Sequence, residues 1–245
     1  MDLAELKDSK VFSFDIFDTT LTRWVARPTD LFLLMQDRLV KGPADYPGSL
    51  ARNFRKARVR AEMQARLGAL RKGGREIRME DIYENLRKEF NLDQAQAVQL
   101  MAEEAELEFQ CVRPIAWTVA EIDALRGMNK RVIFTSDMYL PQALLERLLA
   151  KVGVRVGKEE LYLSSEIGLK KHSGELFRHI LKKEGCAPGQ LSHCGDDLHS
   201  DWWVPHQMGI RIYGETSAEV TRRLRFHRFK RIKKYFEYAR RCLDS

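Results

Sequence analysis

The spacing of apolar residues predicts an α/β protein with a doubly wound parallel sheet and a helical insertion, on three observations. Short apolar runs ending in a hydroxyl or an acid occur at Val11 to Asp15, Arg131 to Asp137 and Leu191 to Asp196. They are too short for independent helices and have the composition of strands buried on both faces. Helical segments, Gln142 to Val152 and Gly174 to Glu184, alternate with such runs, as they do in a parallel sheet. Between the first and second runs lies a long stretch with helical spacing and no strand alternation.

Taken in chain order, the first run opens into Asp15-Ile16-Phe17-Asp18-Thr19-Thr20-Leu21. Asp15 therefore emerges where a buried strand becomes a loop, the edge at which open α/β sheets bind ligands. The insertion reads as four helices: Leu31 to Leu39, Phe54 to Leu70, Met79 to Phe90 and Gln94 to Val112. Asp30 can cap the first, and Asn91 or Asp93 separates the last two. Gly42 to Ser49 and Arg71 to Gly74 are loop-like breaks. In the second helix Ala57, Ala61, Ala65 and Leu67 supply a buried face, and Arg52, Arg55, Lys56, Arg58, Arg60 and Arg66 are either solvated or turned toward an anionic substrate, which guanidinium forks bind well. Arg23 and Trp24, just after the first loop, are nearer candidates for substrate contact, Trp24 being equally suited to hinge packing.

Downstream, the second run ends in Thr135-Ser136-Asp137, a polar loop from Gly168 carries Lys170 and Lys171 into a helix, and the third run ends in Gly195 followed by Asp196, Asp197 and Asp201. Each segment alone is bland; together they specify phosphoryl transfer. A carboxylate such as Asp15 can attack phosphorus and form an aspartyl-phosphate, splitting one hard hydrolysis into two displacements. Nucleophile and substrate are both anionic, so charge must be neutralised. A hard, oxygen-loving cation such as Mg²⁺ held by Asp15 and Asp196 would do this, with Lys171 and the Ser136 hydroxyl facing the phosphoryl oxygens.

The order and chemistry of these segments resemble the haloacid dehalogenase (HAD) superfamily of hydrolases, over residues 11 to about 214. The resemblance implies a Rossmann-like core and, in the insertion, an all-helical type C1 cap that closes over the site and excludes water. It implies residues 1–24 and 115–214 for the core, 25–114 for the cap, and Mg²⁺ as cofactor. Asp15 matches the nucleophile and Thr19 the threonine of the first motif. Ser136 fits the second motif, with Thr135 an alternative frame, and Lys171 the third, with Lys170 the fallback. Asp196 and Asp201 fit the fourth, Asp201 supporting metal or lysine, with Asp197 an extra ligand through water; the Phe17 backbone carbonyl completes the metal set. Ser-Phe-Asp-Ile-Phe-Asp-Thr and Ser-Asp-Met-Tyr-Leu resemble, more narrowly, a bacterial branch associated with glycosyltransferases of surface-polysaccharide synthesis.

One departure bears on mechanism. Family phosphatases carry a second Asp two residues after the nucleophile, which protonates the leaving oxygen; here that position is Phe17. General acid–base catalysis is worth roughly 10²–10⁴-fold. Asp18 stands where the family has glycine. Three readings follow: a phosphatase of a small phosphorylated metabolite such as a sugar phosphate, its acid dispensable or drawn from Asp18 or the cap; a metal-independent dehalogenase, which also has an aromatic residue at this position; and a catalytically weak binding or regulatory module of polysaccharide synthesis. The crowded acids at 195–197 weigh against the second, since a metal-free site gains nothing from massed carboxylates.

Composition fits a soluble enzyme of this plan: 245 residues and 44% hydrophobic content. No apolar run approaches the roughly 18 residues that span a bilayer, and Met1 to Lys10 has no apolar core, so a cytoplasmic location is expected. Cys111, Cys186, Cys194 and Cys242 form no Cys-x-x-Cys pair and read as reduced thiols. Residues 216–245 hold ten Lys or Arg against three Asp or Glu, as large an excess as the whole chain's net +7. Phe226, Phe229, Ile232, Phe236, Ala239 and Leu243 form an apolar stripe, so 215–245 reads as a basic amphipathic helix. It either packs on the enzyme body or meets an anionic membrane surface or a glycosyltransferase partner, making the protein peripheral to the membrane. No nucleic-acid-binding fold accompanies the charge, so no specific nucleic acid is expected.

Overall fold

The computed structural model describes residues 8–213 apart from 26, 75 and 158; the expected basic helix at 215–245 lies outside the described residues. Strands β1 (Val11–Phe14), β4 (Arg131–Ser136), β5 (Leu161–Leu163), β6 (Leu191–Cys194) and β7 (Arg211–Ile212) form one sheet in the order β5-β4-β1-β6-β7, with each neighbouring pair parallel. Two further strands, β2 (Leu21–Arg23) and β3 (Val112–Pro114), form a two-stranded sheet. The helices are α1 (Leu31–Lys41), α2 (Gly48–Arg71), α3 (Met79–Phe90), α4 (Gln94–Cys111), α5 (Ala116–Gly127), α6 (Gln142–Lys151), α7 (Ser164–Ile167), α8 (Glu175–Lys183) and α9 (Val204–Gln207).

Strand order explains where a site can form. From β1 the chain builds β4 and β5 on one side and β6 and β7 on the other, so right-handed crossovers place helices on opposite faces. The reversal sits at β1, and the crevice beyond the carboxyl ends of the strands opens there. The three runs legible in the sequence are the three central strands; β5 and β7, of three and two residues, are too short to announce themselves. On one face Val11, Ile133 and Leu191 pack against Leu176, Phe177 and Ile180 of α8, a helix whose apolar residues fall on a single stripe. On the other face the rings of Phe12 and Phe14 meet Tyr213 edge-on, at centroid separations of 5.7 and 5.8 Å.

The described residues divide into two compact units. One, 8–22, 113–138 and 145–213, contains the five-stranded sheet; the other, 23–112 and 139–144, contains α1 to α4. The short segment after β4 joins the helical unit because the Met79 N–H donates to the Tyr139 carbonyl at 3.1 Å and Arg58 donates to the Tyr139 hydroxyl at 3.0 Å. Local chemistry sets the helix ends. Asp93 accepts from the Gln96 N–H at the start of α4, and Asn91, at φ 52°, closes α3 in the left-handed region. Asp30 does not cap α1 through its side chain; its Oδ2 accepts from the Arg27 N–H and organises the preceding 3-10 turn instead. Helix α2 begins six residues before the expected Phe54, but Asn53 inside it is non-helical (φ −126°, ψ 19°), so the regular part starts where the periodicity does.

The basic stretch of α2 departs from its expected solvation at one position. Arg58 is fully buried: its guanidinium forms a fork with Glu104 at 2.7 and 2.8 Å and lies 4.5 Å from the centroid of the Phe32 ring. The Tyr83 hydroxyl donates to the same carboxylate at 2.6 Å. Ala57, Ala61 and Ala65 are buried as expected, whereas Leu67 is 47% exposed. Burying an ion pair returns little net stability, but removing one partner leaves an uncompensated charge that costs about 3–5 kcal/mol. Accordingly Glu104→Ala should lower the urea-unfolding free energy by about 3–5 kcal/mol. The double variant Arg58→Met/Glu104→Leu should recover most of that loss.

Candidate active site

Asp15 leaves β1 at the centre of the sheet, its N–H held by the Cys194 carbonyl of β6 at 2.8 Å and its carbonyl by the Thr20 hydroxyl at 2.7 Å. On one side β4 ends in Ser136; on the other β6 leads through Gly195 to Asp196 and Asp201. Lys171 arrives from the loop before α8. All of these residues belong to the sheet unit.

Lys171 joins the elements together. Its side chain is 3% exposed, and Nζ donates to Asp15 Oδ1 and to Asp201 Oδ1, each at 2.6 Å. Lys170, the fallback, is half-buried and takes no part in this contact. Asp137, to which the sequence assigned no role, fixes the lysine loop: its carboxylate accepts from the backbone N–H of Lys171 at 2.9 and 3.0 Å and of His172 at 3.3 Å. An acid after the second run and a lysine loop beyond α6, β5 and α7 were the signal for this pairing, and nothing local specified it.

Oxygens from Asp15, Asp196 and Asp201 lie within 4.8 Å of one another. Three carboxylates so close are a hard, acceptor-only donor set, which suits Mg²⁺ or a similar cation. Burial, then the neighbouring Asp201 and Asp196, push the Asp15 pKa well above its ordinary value, against the pull of Lys171. Burial opposes ionisation of Asp201 as well, but Lys171 and His193 outweigh it and hold that carboxylate well below the usual range. For Lys171 the same balance favours charge: burial disfavours the ammonium, and Asp15, Asp201 and Asp137 more than restore it.

Several residues expected around the site take other partners. Arg23, expected at the substrate, is buried in the helical unit with its fork closed on Glu108 at 2.8 Å for both bonds. Those two bonds use one edge of the guanidinium fork, Nε and Nη2. Asp197 caps the π-helical turn Leu198–Trp203, its Oδ1 accepting from the His199 N–H and from the N–H and hydroxyl of Ser200, so it stands outside the three-acid cluster. Asp18 adopts φ 57°, the left-handed region, and its Oδ1 accepts from the Thr22 hydroxyl at 2.7 Å. Thr135 bonds through its hydroxyl to Ser13 at 2.8 Å beneath the site, leaving Ser136 as the hydroxyl at the strand end. Thr19 is buried with no hydrogen-bond partner on its hydroxyl, an orphan donor four residues from Asp15.

Gly195 is required by close approach. A Cβ there would stand 2.4 Å from Asp201 Cγ and 2.5 Å from its Cβ, closer than any real contact. The space a side chain would fill is occupied by the Asp201 carboxyl group.

Neither a protein-family model nor a curated protein matches this chain. Solved structures do. An L-2-haloacid dehalogenase superposes with a TM-score of 0.54 at 18% identity, covering 83% of each chain. The L-2-haloacid dehalogenase of Xanthobacter autotrophicus gives 0.52 at 13% identity over 83% of this chain and 76% of its own. A predicted phosphoglycolate phosphatase from Haemophilus somnus gives 0.50 at 14% identity over 85% and 86%. At these identities the likeness is one of fold: the chain shares a Rossmann-like α/β fold with these dehalogenases and this phosphatase.

Two expectations follow from the geometry. Asp15 has a raised folded pKa, so ionising it destabilises the metal-free protein above about pH 4 and not below, where both folded and unfolded forms are protonated. In EDTA at pH 7, Asp15→Asn should therefore melt above wild type, with the difference vanishing as pH falls below about 4. Gly195→Ala should lower stability by about 1–3 kcal/mol, through displacement of Asp201, as read from urea unfolding.

Proposed function

We propose that this chain is a Mg²⁺-dependent phosphatase of a small phosphorylated metabolite, with Asp15 as nucleophile. The observation that carries the reading is the cluster of Asp15, Asp196 and Asp201 around Lys171. Three carboxylates and one ammonium leave two negative charges, which one divalent cation balances. Asp15, Asp196 and Asp201 would hold the cation, with the Phe17 carbonyl in the same loop as a further oxygen. When bound it supplies charge neutralisation toward an anionic substrate.

The remaining steps belong to the chain's own groups. The Asp15 carboxylate attacks phosphorus, the bond from phosphorus to the leaving oxygen breaks, and an aspartyl-phosphate forms. The leaving oxygen takes its proton from solvent or substrate, since Phe17 has none to give and the Asp18 carboxylate is turned to Thr22. Water then attacks phosphorus, the bond from the Asp15 oxygen to phosphorus breaks, the water's proton passes to solvent or to the departing phosphate, and the Asp15 carboxylate is restored. Lys171 holds a positive charge against the transferring group, and the Ser136 and Thr19 hydroxyls are donors for its oxygens. A sugar phosphate is the substrate suggested by the likeness of the first two motifs to the polysaccharide-associated branch.

A second reading has its own support. Phe17 in place of an acid, together with dehalogenases among the structural neighbours, suits attack of Asp15 on a carbon bearing a halogen. The three-acid cluster favours the phosphatase, because massed carboxylates repel a 2-haloacid unless a cation intervenes.

Phosphate release from sugar phosphates, nucleotides and p-nitrophenyl phosphate, and halide release from 2-haloacids, separate the readings. The expected result is Mg²⁺-dependent phosphate release, lost in EDTA and lost in Asp15→Asn. Asp18→Asn should avoid the roughly 10²–10⁴-fold loss that removing a general acid brings. Halide release without phosphate release would establish the dehalogenase instead, and no turnover of any compound would favour a binding module.

A further inference from the structure

Beneath the site, the central strands carry polar residues where apolar ones would be expected. Ser13 on β1, Thr135 on β4 and His193 on β6 are each 0% exposed, and Ser13 and His193 are paired across the β1–β6 ladder. Their side chains are linked: Thr135 Oγ1 lies 2.8 Å from Ser13 Oγ, and Ser13 Oγ 2.9 Å from His193 Nδ1. The other ring nitrogen, Nε2, lies 3.0 Å from Asp201 Oδ1, the same oxygen that receives Lys171. The Phe177 ring meets the imidazole edge-on, at a centroid separation of 4.9 Å, and walls it in.

The donor and acceptor roles along this chain are fixed by chemistry. An ionised carboxylate only accepts, so Nε2 carries the proton toward Asp201. In the neutral tautomer with Nε2 protonated, Nδ1 is the acceptor and lies 2.9 Å from the Ser13 hydroxyl. Ser13 must then donate to Nδ1, and accept in turn from Thr135. One orientation satisfies every polar atom in the row, which is how a buried network rigidifies its members.

We propose that His193, fixed from below by Ser13, is a positioning residue: it holds the Asp201 carboxylate in the rotamer that receives Lys171, and thereby sets Lys171 against Asp15. Besides His193 and Lys171 on Oδ1, the Asp201 carboxylate accepts, among the described residues, from the Asp197 N–H through Oδ2 at 3.1 Å. Without the imidazole its Oδ1 would keep Lys171 but lose the bond that fixes the direction of approach. The kinetic part of this inference rests on the reading of Asp15 as the reacting carboxylate; the geometric part does not.

The two parts are tested separately. In the wild-type protein, long-range ¹H–¹⁵N spectra of His193 should show the Nε2–H tautomer, and the buried Lys171 ammonium should give its own slowly exchanging ¹⁵N signal. His193→Asn, which reaches Ser13 but not Asp201, should lose or shift that lysine signal. His193→Gln, whose amide reaches the Nε2 position, should restore it. With Mg²⁺ and p-nitrophenyl phosphate, His193→Asn should lower kcat by roughly 10–100-fold with KM little changed, and His193→Gln should recover most of the loss. Ser13→Ala, which removes the lower bond without touching the ring, should act in the same direction and serves if His193→Asn does not fold. An Nδ1–H tautomer, or a lysine signal alike in wild type, His193→Asn and His193→Gln, would overturn the proposal. Absence of turnover in wild type would count against the phosphatase alone, because the spectra still decide the positioning role.

Discussion

Lys171 is the residue on which the site depends. Its ammonium is withdrawn from water almost completely, an arrangement that several kcal/mol of lost solvation would forbid if the surrounding carboxylates did not repay it. Asp15 and Asp201 do so at 2.6 Å each, and everything near them is arranged to keep that geometry. Asp137 pins the successive backbone N–H groups of Lys171 and His172; Gly195 yields the volume that the Asp201 carboxyl group fills; His193 and the Asp197 N–H hold that carboxyl from two directions. The switch point of the sheet supplies the location, because β1 and β6 deliver Asp15 and Asp196 to the same edge.

The helical unit follows a comparable logic with a different outcome. Arg58 with Glu104, and Arg23 with Glu108, are forked pairs buried among apolar groups, and their arginines are satisfied by the unit itself. Such pairs specify how α2, β2 and α4 meet more than they stabilise the unit, since well-packed apolar replacements often do as well. The partly or fully exposed cations of α2 are Arg52, Arg55, Lys56, Arg60, Arg66 and Arg71.

Charge separates the two chemistries that this fold hosts. A phosphoryl group brings negative charge to a negative site and needs a cation; a haloacid carries a single carboxylate and is served by a site with few acids. Here burial first, and then the neighbouring carboxylates of Asp201 and Asp196, push the Asp15 pKa up. A divalent ion among the three carboxylates would favour the ionised form of Asp15.

The sequence by itself determined the parallel sheet, the helical insertion and the positions of Asp15, Asp196 and Asp201, because strand ends and helix spacing are written in local periodicity and a strand-terminal acid needs no distant partner to be placed at the sheet edge. The helices of the insertion were legible for the same reason, Met79–Phe90 to the residue. What only the tertiary structure decided was which of two adjacent candidates faces which partner: Lys171 and not Lys170 at the carboxylates, Thr135 into the sheet with Ser136 at its end, Asp197 on its own turn, Arg23 on Glu108. Asp137 and His193 escaped notice altogether, since their significance lies in contacts with residues 34 and 8 positions away. Periodicity assigns a residue to a face of its own element, but a hydrogen bond or ion pair is chosen by packing between elements, and packing exists only once the chain has folded.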